Sequence, residues 1–256
     1  MSYAVSLWLD VTLVALAAGA AGFVVVMRRA GFAAHALPMA AFPGAAAAAL
    51  FGFPLWAGLS GFAVGGAALL MALQRLTRKD AATALLLSAL LALGALFLSL
   101  SGHYAGAVYG LLFGQVFAMG PQDIPILSLV GLGVPVLLWL GLRPLSLSAV
   151  SPDLLRLQGG HNGRVEAAFL VLLALAVAFA VPVTGVLLVF SLMIGPGAAA
   201  SKLCRRLHDG LWVAVLLAVI LAWAALGLAY LTNWPIGFFT GVGAALLYTA
   251  AGFKRV

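Results

Sequence analysis

The chain has 256 residues, of which 65% are hydrophobic and only 7% charged. A soluble domain is about half apolar and about a quarter charged, which excludes a water-soluble enzyme, a nucleic-acid binder and a disordered regulator. The apolar runs are long and unbroken rather than alternating, so an outer-membrane barrel is excluded as well. One crossing takes about 20 mainly apolar residues. The expectation is therefore an all-α, polytopic transmembrane helical bundle with about eight or nine spans.

The first run, Leu7 to Met27, ends at Arg28-Arg29. It lacks a basic leader and a cleavage site, so it reads as a retained span rather than a signal peptide. A second run, Ala33 to Leu50, contains Pro38 and Pro43. After FGFP a third covers Trp56 to Leu73 and stops at QRLTRKD, and a fourth covers Ala81 to Leu100. The stretch SGHYAGAVYGLLFGQVFAMGP is too polar and Gly-rich for a plain span. The fifth span is Gln122 to Leu142, followed by a polar segment from Ser146 to Glu166. The sixth, Ala167 to Val181, is parted from the seventh, Val186 to Ala200, by PVTG. SKLCRRLHDG precedes the eighth span, Leu211 to Leu231, and TNWP precedes the ninth, Ile236 to Gly252. There is no convincing internal repeat.

The net charge of +7 is explained by topology. With the amino terminus outside and the carboxyl terminus in the cytoplasm, all 13 lysines and arginines fall on one side, at 28–29, 75–79, 143–164, 202–206 and 254–255. The opposite loops contain none, as the positive-inside preference demands. This places the chain as a multi-pass protein of a bacterial-type inner or plasma membrane. A single cysteine, Cys204, excludes an internal disulfide or a cysteine metal cluster.

VSPDLLRLQGGHNGR is the most informative polar stretch. Ser151 suits an N-cap, Pro152 the first helical position, and Asp153 the positive helix end. Leu154, Leu155 and Leu157 form a short apolar face, and Gly159-Gly160 supplies the stop. The spacing predicts a helix of about two turns outside the membrane. Such a helix suits a groove on another protein or a resting place on lipid headgroups, and the spacing does not choose between them.

VSPDLLRLQGG, followed by a span ending in VPVTGVLLVFSLMIGPGAAASKLCRRL, resembles the membrane subunit of the zinc/manganese/iron-type (metal) ABC transporter family. Val183, Gly185, Leu187, Leu188 and Val189 match that family's V-G-x-L-L-V run; Pro196, Ala198 and Ala199 approximate its P-A-A motif. TNWPIGFFTG, RRAGFAAHALPMAAFPGAA with Pro43-Gly44, and LLFGQVF with Asp123 resemble further segments in the right order. The resemblance implies one transmembrane permease domain over 1–256, with a coupling segment at about 146–166. It also implies a homodimeric importer permease moving a transition-metal ion by alternating access. An ABC ATPase subunit would dock at Pro152, Asp153, Leu154, Leu155, Leu157 and Gly159. An extracytoplasmic substrate-binding protein would deliver cargo, and the lipid bilayer is the remaining partner. The chain carries no G-x-x-x-x-G-K-S/T phosphate loop, so it is not itself an enzyme, binds no cofactor, and leaves ATP to the partner subunit.

Ionisable or metal-binding side chains inside a bilayer are expensive and face a cavity or partner. His35 and Met39 lie one turn apart on the second span. The resemblance makes them candidate metal contacts where the family has Asp and His; the His-Met pair is softer and leans towards copper(I) or another thiophilic ion. A carbonyl-bonded His and a gap-filling Met are the bland alternative. Asp123, at the outer start of the fifth span, suits either cation attraction or support of a first helical turn. Asp10, in the outer part of the first span, requires hydration or a polar partner. These four are the candidate pathway residues. His103, Tyr104 and Tyr109 read as lid or interface residues, Met119 and Met193 as packing, and Arg164 and Glu166 as solvated. A chelate or organic solute on the same architecture, and a secondary carrier needing no ATPase, are the rival readings.

Overall fold

Long apolar segments in lipid become helices because the backbone has no other partner there. The computed structural model describes residues 3–76, 79–101, 114, 120–186 and 189–253. Among them every regular element is a helix: α1 Tyr3–Met27, α2 Gly31–Phe51, α3 Leu55–Leu76, α4 Lys79–Ser101, α5 Ile124–Leu140, α6 Leu142–Val150, α7 Pro152–Leu157, α8 Asn162–Thr184, α9 Val189–Leu203, α10 Leu207–Thr232 and α11 Ile236–Phe253. Seven are long and apolar enough to cross a membrane, or eight if the bent pair α5–α6 counts as one crossing.

Two expectations change. The fifth span does not run straight into a polar loop: α5 bends by 58° into α6, so residues counted as linker are helical. The seventh span, expected over Val186 to Ala200, is the equally short 15-residue α9, with both bounds three residues later. At 1.5 Å per residue it reaches about 22 Å, short of the roughly 30 Å of hydrocarbon. Pro182 lies within α8, and the break comes at Gly185, whose φ is +83°.

Successive helices reverse direction, so the segments bearing lysine and arginine gather at one end, here the basic end. α1, α2 and α8 form the interior; α3 and α4 flank α2, and α5, α9 and α10 surround α1. α8 touches α1, α2, α3 and α5 and joins the two groups. Small residues permit this closeness, as is usual between membrane helices. A Cβ on Gly44 would lie 2.2 Å from the carbonyl oxygen of Gly58, and one on Gly58 2.3 Å from that of Gly44. Gly22 approaches the backbone of Met193 in the same way, so Met193 is, as expected, a packing residue.

Candidate substrate pathway and coupling surface

At the basic end, α6, α7 and the start of α8 make a knuckle outside the long helices. Ser151 occupies the cap position of α7 with φ −147°, but its hydroxyl makes no cap bond. Pro152 stands at the first helical position and Asp153 in the first turn, with Arg156 3.5 Å from the Asp153 carboxylate. The helix has six residues, shorter than the two turns expected. Gly159 ends it with φ +79°, a conformation that favours glycine. Leu155 is buried and pinned by Gly160, where a Cβ would lie 2.5 Å from the leucine side chain. Leu154 and Leu157 point away, 49% and 83% exposed. The trio expected to share one apolar face is therefore divided into an anchor and two outward side chains.

Arg28, read from sequence as a topological marker, turns inward. It donates to the carbonyl of Leu145 at 2.9 Å, to the Ser148 hydroxyl and to the Glu166 carboxylate. Its guanidinium carbon also lies 4.9 Å from the centre of the Phe169 ring. Glu166 is thus an ion-pair partner and not simply solvated. Arg28 and Glu166 help line a polar cavity of about 290 Å³ that also touches Arg29, Gln74 and Ser148. The turn that delivers Arg28 holds Arg29 in a left-handed conformation, φ +54°. No periodicity signals this network, since Arg28 and Glu166 are 138 positions apart.

The four pathway candidates fall in two places. His35 is one turn into α2 from the basic end and is exposed, its ring meeting Phe190 edge-on at 5.3 Å. Met39 is 5% exposed and belongs to the core. Sharing a helix face has not given the two the same environment. Asp10 lies 17 residues from the basic end of α1 and His35 four residues from the start of α2, so about 20 Å separates them along the bundle. Asp10 is completely buried, and neither carboxylate oxygen has a hydrogen-bond partner.

Asp123 sits at the N-cap of α5, yet its carboxylate does not cap the helix. It accepts instead from the Gly120 N–H at 3.1 Å and from the Trp56 indole N–H at 3.0 Å. Trp56 stacks on Phe179 with ring centres 4.9 Å apart, so this carboxylate is positioned from α3 and α8. Among the described residues no three His, Cys, Asp or Glu side chains converge as a metal cluster. His103, Tyr104, Tyr109 and Met119 lie outside the described residues.

A profile of the ABC 3 transport family matches residues 2–254. The chain belongs to the ABC 3 transport family. It is 26% identical over 243 residues to the manganese transport system membrane protein MntC of Halalkalibacterium halodurans, covering 94% of this chain and 83% of that one. It is 25% identical over 242 residues to the manganese import system permease protein ScaB of Streptococcus parasanguinis, covering 94% and 84%. A probable metal transport system membrane protein of Thermotoga maritima is 28% identical over 228 residues, covering 88% and 80%.

Its fold is similar to PsaBC from Streptococcus pneumoniae, solved in complex with Fab. The TM-score is 0.88 at 21% identity, covering 98% of this chain and 91% of that one. It is also similar to a putative metal-chelate type ABC transporter in an inward-facing conformation, with TM-score 0.76 at 18% identity, covering 96% and 87%. This family member is a multi-pass membrane protein, and its relatives are transport permeases rather than enzymes.

Proposed function

We propose that this chain is the permease subunit of an ATP-driven importer of a transition-metal ion, with manganese the first cargo to test. The observation that carries the reading is α7, whose Leu154 and Leu157 stand exposed at the basic end of a chain matched to the ABC 3 family over 2–254. An exposed apolar pair on a short helix fits a groove in a partner. That partner is an ATPase subunit, which supplies the nucleotide chemistry. The basic end faces the cytoplasm and the amino terminus the outside, as the segregation of lysine and arginine favours. Residues 1–256 act as one permease domain, two copies enclose the pathway, and a soluble binding protein delivers cargo. Closure of the ATPases pushes α7 through Pro152, Asp153, Leu155 and Gly159 and tilts the long helices.

His35 is the cargo-facing side chain of the inner half of the pathway, and Met39 sets the wall behind it. The relatives named for manganese favour a hard ion, whereas His and Met are softer donors. The fold likeness to a metal-chelate type transporter supports a second reading, in which the cargo arrives as a chelate.

The test replaces Leu154 and Leu157 with Asp and measures co-purification of the ATPase and ATP-dependent manganese uptake in proteoliposomes. Both should be lost while the permease stays folded; unchanged assembly and uptake would remove α7 from the mechanism. Uptake by the permease alone would favour a secondary carrier. His35→Ala separates the two cargo readings: loss of free-ion uptake without misfolding favours the ion, and uptake of a chelate that the substitution leaves unchanged favours the chelate.

A further inference from the structure

At the end of the bundle opposite the basic one, two carboxylates lie on neighbouring helices with no lysine or arginine among the described residues there to balance them. Asp10 is completely buried in α1, and neither of its oxygens has a hydrogen-bond partner. Asp123 is half-buried at the start of α5, each oxygen accepting one bond, from Trp56 and from the Gly120 backbone. α1 and α5 run in the same direction and touch closely: a Cβ on Gly131 would lie 2.7 Å from the carbonyl oxygen of Leu13. That register puts Asp10, one turn before Leu13, beside the first turns of α5.

No lysine or arginine occurs between 30 and 74, 80 and 142, 165 and 201 or 207 and 253, or before 28. The lysines and arginines among the described residues therefore sit at the basic end, a helix length away. Burying an uncompensated carboxylate is prohibitively costly, so its charge is matched or removed. A proton shared between the two acids would need a hydrogen bond between them, and Asp10 makes none. A lone proton on Asp10 would create a buried O–H donor, and neither Asp10 oxygen has a hydrogen-bond partner.

We propose that Asp10 and Asp123 hold a hard divalent cation between α1 and α5. Two carboxylates supply two negative charges, and oxygen-only donors select a hard ion such as manganese(II), calcium or magnesium. Such ions often keep several waters while bound by one or two carboxylates. Asp123 forms the mouth, held by Trp56 and Gly120, and Asp10 is the closed floor. The site lies about 20 Å along the bundle from His35 and differs from it in chemistry, oxygen donors against a nitrogen donor. The choice of manganese as probe rests on the permease reading; the site itself rests on the carboxylate pair.

The experiment is equilibrium dialysis of radioactive manganese(II) against the full chain in nanodiscs of zwitterionic lipid. Wild type, Asp10→Asn and Asp123→Asn are compared at neutral pH, with neither ATPase nor nucleotide present. Wild type should bind, with affinity falling on the order of tenfold or more in each variant. A second measurement uses terbium(III), whose emission is sensitised by a nearby indole. Wild type should emit and release the signal to manganese, while Asp10→Asn and Asp123→Asn should each lose the emission that manganese displaces. Manganese binding that survives both Asn variants overturns the proposal, and so does absence of binding by wild type, which would leave Asp10 as a neutral acid. Because the assay contains no transport step, the site can fail while the permease reading stands, and the reverse.

Discussion

Arg28 at the end of α1 and Glu166 near the start of α8 form an ion pair in which the arginine side chain is only 7% exposed and the glutamate 34%. The arginine bonds as well to Leu145 and Ser148 on α6, so one side chain ties α1 to both helices that flank α7. Breaking a fully buried pair costs about 3–5 kcal/mol. The partial exposure of Glu166 lowers the expected loss to about 1–3 kcal/mol. Arg28→Met should therefore lower the melting temperature more than Glu166→Gln, whose amide oxygen still accepts. Additivity of the two substitutions in the double variant would mean that the pair is not coupled.

Two glycines should respond differently to alanine. At Gly44 the added methyl meets the Gly58 backbone, which cannot rotate away, so overpacking should cost about 1–3 kcal/mol. At Gly52 there is open space, but φ is +73°, and the backbone strain alone should cost about 1 kcal/mol. Thermal melting in detergent checks the order, and Phe62→Ala, which keeps the Cβ that lies beside Gly44 and leaves the Gly58 backbone in place, should not rescue Gly44→Ala.

Trp56→Phe keeps the stack on Phe179 and deletes the indole donor to Asp123. A hydrogen bond to a charged group contributes about 1.5–3 kcal/mol. The variant should lose that much stability in the wild-type background and much less in Asp123→Leu, where no acceptor remains. Equal losses in the two backgrounds would show that the bond contributes nothing.

Cys204 follows α9 outside the long helices. Burial, and then the Asp209 carboxylate, pushes its thiol above the ordinary value. A raised thiol is protonated and unreactive until the pH passes that higher value, because only the thiolate attacks. Maleimide labelling of the intact protein should be slow near neutral pH and still climbing above about pH 9. Asp209→Asn should speed it at a given pH. A rate that levels off by about pH 8 would contradict the shift.

Much of the architecture was legible in the chain. α1 to α4, α8, α10 and α11 each contain an apolar run recognisable by length, because desolvation in lipid is a property of consecutive residues. The break at PVTG was legible through Gly185, but the bounds of α9, Val189 to Leu203 against Val186 to Ala200, were not, since hydropathy marks an apolar run and not its first helical residue. The α7 knuckle was legible through Pro152, Asp153 and Gly159, but its shorter helix and the inward anchoring of Leu155 were not, since Gly160 decides them through space. His35 and Met39 were paired by spacing, while their opposite exposures depend on what α9 places beside α2.

Composition and the linear order of charges thus determined the solvent, the approximate number of crossings and the end at which the cations collect. They could do so because the cost of transferring a segment into hydrocarbon adds up along the chain. Only the tertiary structure decided that Arg28 meets Glu166, that Asp10 is buried without a hydrogen-bond partner, and which leucines of α7 face outward. These depend on how each helix is rotated, and in helices apolar on every face that rotation is set by close backbone approaches such as Gly44 to Gly58 rather than by a periodic pattern.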